Sequence, residues 1–149
     1  MKSTLLLLFL ITVKLSYSQN YLNLNKGDII ALKGNDYTTT KDGYSIVYIE
    51  NVPDKNGYPM MPNVENFSFD KNNVVNGYSR IVNEVQESYA LKIITENNNK
   101  YEKISPKEHI LLKWVDRKNL IIFRIGWIIK GRNNLYSVHY EVDKVDRIE

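Results

Sequence analysis

Cysteine is absent from the 149 residues, which removes a disulfide framework, a thiolate metal centre and a lipid anchor carried on a cysteine. The chain must be held by its apolar core. Histidine is scarce: His109 and His139 are the two present, and they do not have the helical i, i+4 spacing, with a glutamate between, that binds zinc. The seven glycines are dispersed at turns, apart from Gly126, so no glycine-rich loop is available to cradle a phosphate. There is no Gly-x-Ser-x-Gly nucleophile elbow. The 20 basic and 17 acidic residues are interleaved, without the basic stripe a nucleic-acid surface needs.

Apolar runs are short as well. Met1 to Ser18 reads MKSTLLLLFLITVKLSYS, with Lys2, an apolar run from Leu5 to Val13, and Ser16 and Ser18 as small residues before Gln19. This layout predicts a signal peptide over residues 1–18, with an apolar run too short to span a hydrocarbon core of about 30 Å as a helix. Residues 19–149 are then expected to form a single β-rich domain, periplasmic or extracellular, with no transmembrane span after cleavage. Lys2 and Lys14 leave with the leader, so the remainder carries 18 basic and 17 acidic residues, and the balance argues against nucleic acid or anionic membrane as a partner. An exported chain of this size without disulfides suits a bacterial envelope.

What the sequence does hold is a strong β pattern at its C-terminal end. Ile121, Phe123, Ile125, Trp127 and Ile129 alternate with a mixed set that includes Arg124 and Gly126, as expected of a strand with one apolar face. Beyond the turn Gly131-Arg132-Asn133-Asn134, Tyr136, Val138, Tyr140 and Val142 alternate with Ser137, His139, Glu141 and Asp143. Matching the apolar faces through a four-residue loop pairs Phe123 with Val142, Ile125 with Tyr140, Trp127 with Val138 and Ile129 with Tyr136. The opposite face then sets Arg124 across from Glu141 and Gly126 across from His139. A third strand over Ile110 to Val115 joins by the same argument, with Trp114 opposite Ile121 and Leu112 opposite Phe123. Both tryptophans are placed in the core.

Upstream, Asp28 to Lys33 and Tyr44 to Glu50 read as short strands bounded by turn signals at Gly34-Asn35-Asp36 and Lys41-Asp42-Gly43. Phe67 to Phe69, the turn Asp70 to Asn73 and Val74-Val75 read as a hairpin. Leu91 to Thr95, Asn97-Asn98-Asn99 and Tyr101 to Ile104 read as another. Residues 76–90 are ambiguous: Tyr78, Ile81, Val82, Val85 and Tyr89 fit one face of a helix, whereas Gly77 and the β-branched pair Ile81-Val82 favour a strand. The expected fold is mostly β, a small antiparallel β-sandwich or barrel built on a C-terminal meander (110–115, 120–130, 135–143). The alternative is α+β, with one helix at about 76–90 on an antiparallel sheet.

Two places could carry function. Asn51 to Glu65 holds three of the four prolines; these exclude a central strand and leave a long loop presenting Tyr58, Met60 and Met61. The second place is the polar face of the meander, with Arg124, His139 and Glu141 beside Gly126. A triad of Ser137, His139 and Glu141 fails on distance, since residues two apart on a strand stand about 6 to 7 Å apart. The leading expectation is a non-enzymatic secreted or periplasmic binding protein, with a protein, a glycan or a small apolar ligand as its partner. Ten tyrosines beyond the leader support this, because each gives contact area with a polar tip. A small envelope hydrolase using Arg124, His139 and Glu141 is the rival, and an inhibitor or immunity protein against an envelope-targeting toxin is the third reading. No catalytic residue, metal site or cofactor is assigned.

Overall fold

The computed structural model describes residues 21–51, 62–107 and 109–148. They form helix α1 (Lys26–Lys33), β1 (Thr38–Thr39), β2 (Ser45–Glu50), β3 (Asn63–Phe69), β4 (Val75–Val85), helix α2 (Glu87–Lys100), β5 (Glu102–Ile104), β6 (Leu112–Asp116), β7 (Ile121–Lys130) and β8 (Tyr136–Lys144). The chain is mostly β, as expected, and its eight strands make one antiparallel sheet in the order β1-β2-β3-β4-β8-β7-β6-β5. Two four-stranded meanders are thus joined through β4 and β8. Tyr58, Met60 and Met61 lie outside the described residues.

The connection between the meanders is α2. Leaving β4, the chain must cross four strand spacings, about 19 Å, to reach the edge strand β5. A helix of 14 residues is about 21 Å long, which matches the crossing. Its inward positions are Ala90, Ile93, Ile94 and Asn97, spaced three and four apart as one helical face requires. The expected strand over Leu91 to Thr95 and turn over Asn97 to Asn99 are therefore corrected to helix. They misled because the buried face carries the amide of Asn97, while Asn98 accepts a hydrogen bond from the Trp114 indole at 2.8 Å. Of the two readings of residues 76–90 the strand is the one that forms, over 75–85 and interrupted where Glu84 takes φ 57°; the alternative of a helix there is corrected to 87–100.

Residues 28–33, expected as a strand, are the body of α1. Its N-terminus is a reciprocal cap in which the Asn25 side chain accepts the Asp28 amide at 2.9 Å and the Asp28 carboxylate accepts the Asn25 amide at 3.1 Å. Gly34, at φ 95°, ends it. Ile29 is fully buried, and Lys33, one turn later on the same side, reaches Glu65 on the sheet.

Both helices pack against one sheet face. Across that face Ile46, Phe67, Tyr78, Val142, Phe123 and Trp114 stand side by side on six successive strands, and all are buried. Tyr101 stacks on Phe123 at 4.3 Å. The hairpin turn Asp70 to Asn73 forms where expected: the Asp70 carboxylate accepts the amides of Asn72 and Val74, and Asn73 is left-handed at φ 59°.

The C-terminal meander forms with two changes of register. Phe123 faces Val142, Arg124 faces Glu141 and Ile125 faces Tyr140, as the sequence predicts. The pairing then slips, so that Trp127 faces His139, Ile128 faces Val138 and Ile129 faces Ser137. This is a β-bulge at Gly126, which inserts one residue and turns every later side chain over. Trp127 accordingly leaves the core face and Ile128 joins it; Ile129 is exposed. On the other side Trp114 faces Phe123 and Leu112 faces Ile125, two residues from the expected pairing. An even slip keeps each residue on its face, and Trp114 is fully buried.

Candidate functional site

The sheet face away from the helices is built from three cross-strand rows. One runs Ser45, Ser68, Gly77, Asp143 and Ile122, and the next Val47, Asn66, Ser79, Glu141, Arg124 and Lys113. The third holds Ile49, Val64, Ile81, His139 and Trp127. Antiparallel sheets commonly bury one face and solvate the other. Here the solvated face has a polar centre bordered by an apolar row.

The centre is a cavity of about 140 Å³ lined by Asn66, Ser68, Tyr78, Ser79, Glu141 and Asp143. Gly77 makes room for it, since a Cβ there would sit 2.8 Å from Asp143 Oδ1 and 3.5 Å from Ser68 Cβ. At the rim Arg124 bonds to Asp143 through Nη1 and lies 3.5 Å from Glu141 Oε2. His139 Nε2 is 3.4 Å from Glu141 Oε1, and its ring packs on Trp127 with centroids 5.6 Å apart. One guanidinium thus serves two carboxylates. Asn66 Oδ1 is buried without a hydrogen-bond partner among the described residues, an acceptor whose lost hydration is uncompensated.

Arg124, His139 and Glu141 are therefore brought together as the sequence suggests. Asn66, Ser68, Ser79 and Asp143 complete the cluster and were not foreseen. Asp143 lay on the predicted polar face of β8 and was recognisable in principle. The residues of β3 and β4 were not, because nothing local in the sequence specifies that β4 lies beside β8. Among the described residues, no group of three or more His, Asp or Glu side chains is placed to hold a metal ion, and no helix is long and apolar enough to cross a membrane. No family model, curated protein or solved structure matches the chain.

Proposed function

We propose that this chain is an exported, non-enzymatic binding protein whose sheet face away from α1 and α2 holds a polar, donor-rich group such as the hydroxyls of a glycan. The observation that carries the reading is the acceptor set of the cavity. Asn66 Oδ1 is buried without a partner among the described residues, and Asn66 lines the cavity together with Ser68, Ser79, Glu141 and Asp143. Such a lining favours hydroxyl or N–H donors over an apolar ligand, which would leave the acceptors unpaired. The adjoining row of Ile49, Val64, Ile81 and Trp127 offers apolar contact beside the polar group.

Binding is favoured over hydrolysis by how the charged groups are already committed. Arg124 is shared between two carboxylates, and His139 is held between Glu141 and the Trp127 ring, an arrangement that fixes a surface. The toxin-inhibitor reading rests on Tyr58, Met60 and Met61, outside the described residues.

A glycan array probed with the wild-type protein and with Ser79→Arg tests the proposal. Ser79 sits on the cavity wall, where an arginine would fill the space. Binding to a glycan class by the wild type and its loss in a variant of unchanged Tm is the expected result. Absence of binding across the array, or equal binding by the variant, would contradict it.

A further inference from the structure

His139 sits where the polar cavity meets the apolar row, and its ring has little room to turn. Nδ1 lies against Gly126, where a Cβ would come within 2.6 Å of it, and Trp127 packs on the ring with centroids 5.6 Å apart. Nε2 is thereby held toward Glu141, 3.4 Å from Oε1. With 22 % of the side chain exposed, the ring exchanges protons with solvent.

Glu141 is shared between the cavity and its neighbours. Its Oε2 lies 3.5 Å from Arg124, and the residue lines the cavity, so Oε1 is the oxygen for which His139 and an entering hydroxyl compete. At 3.4 Å a neutral imidazole holds that oxygen loosely, beyond good N–H···O geometry. A proton gained by the ring makes the contact charge-assisted, a kind of bond that draws in to about 2.7–2.9 Å, and the imidazolium is also favoured by the face of Trp127. The charged groups around His139 are Arg124 from β7 and Glu141 and Asp143 from its own strand, with Lys113 of β6 beyond Arg124. From β4 come Ile81 and Ser79, neither of them titratable. Between about pH 5 and 8 histidine is the side chain that changes charge, while arginine and carboxylates keep theirs.

We infer that His139 makes ligand binding at the cavity pH-sensitive: neutral, it leaves Glu141 free to accept a hydroxyl; protonated, it takes that acceptor away and the ligand is released. This rests on the reading of the cavity as a glycan site. By reciprocity, a bound glycan makes His139 harder to protonate.

The glycan array is read at about pH 8 and about pH 5 with the full-length wild type and with His139→Gln, which stays neutral. The wild type should bind about tenfold more weakly at the lower pH, through loss of one hydrogen bond to a charged acceptor, and His139→Gln should bind alike at both. Wild-type binding that does not fall, or an equal fall in the variant, would overturn the inference. A second measurement needs no ligand. In an NMR pH titration the Glu141 side-chain carboxyl carbon of the wild type should shift with the midpoint of the His139 ring protons, and that step should vanish in His139→Gln. If the array shows no binding at either pH, the glycan reading falls, and the carbon titration alone decides whether His139 controls Glu141: a shared midpoint sustains that control and its absence overturns it. Should His139→Gln not fold, the wild-type titration decides in the same way.

Discussion

Gly126 lies against His139, and a Cβ at position 126 would stand 2.6 Å from Nδ1 of the imidazole. The ring has little freedom to retreat, being packed on Trp127 and close to Glu141. The bulge therefore needs glycine at 126 for space.

Gly126→Ala is expected to destabilise the fold by about 1–3 kcal/mol, the usual cost of overpacking. Adding His139→Ala removes the clash, so the double variant should lose clearly less than the sum of the singles. Additive losses in urea unfolding would show that the contact is not the constraint.

The two tryptophans should respond differently to truncation. Trp114 is fully buried and its indole donates to Asn98, so Trp114→Ala should cost about 3–5 kcal/mol. Trp127 packs against His139 on the other face and is half-buried; Trp127→Ala should cost less than about 2 kcal/mol. Equal losses at unchanged m-value would contradict the bulge.

The contrast between the tryptophans also marks what the sequence could reveal. Period-two alternation identified β7 and β8 and the Arg124 to Glu141 pairing, because one buried face fixes the register. It could not reveal the bulge, since one inserted residue leaves the alternation of the strand itself unchanged while reversing its meaning beyond Gly126. The helices were concealed for different reasons. α1 is eight residues long and owes its identity to the Asn25 and Asp28 cap, while α2 buries Asn97 where an apolar residue would have marked the face. The candidate cavity depended on the β4 to β8 pairing, a long-range contact with no local signature.

The cap of α1 gives a direct test of that helix. Asn25→Ala should cost about 0.5–2 kcal/mol, and Asn25→Asp, which keeps an acceptor, much less. Equal losses in thermal unfolding would mean that the side-chain cap does not hold the helix.

Acid stability should depend in part on Asp70. The amide of Val74, and after it that of Asn72, holds its carboxylate below the ordinary value of 3.8. With the folded pKa depressed, the unfolded chain binds the proton more readily. The contribution is complete above about pH 4 and is lost as pH falls through the folded value. Asp70→Asn should therefore be less stable than wild type at neutral pH, with the gap narrowing on acidification. A gap independent of pH down to the acid limit would show that the titration of Asp70 is not coupled to folding.

The gathering of Trp127, His139, Glu141, Arg124 and Asp143 on one solvated face underlies the functional reading, and nuclear Overhauser contacts of the Trp127 indole test it most directly. Cross-peaks between the Trp127 ring and the His139 ring protons are predicted, with none from Trp127 to the side chains of Ile93 or Ile94 on α2. Contacts from Trp127 to α2, with none to His139, would place the indole in the core and dissolve the site.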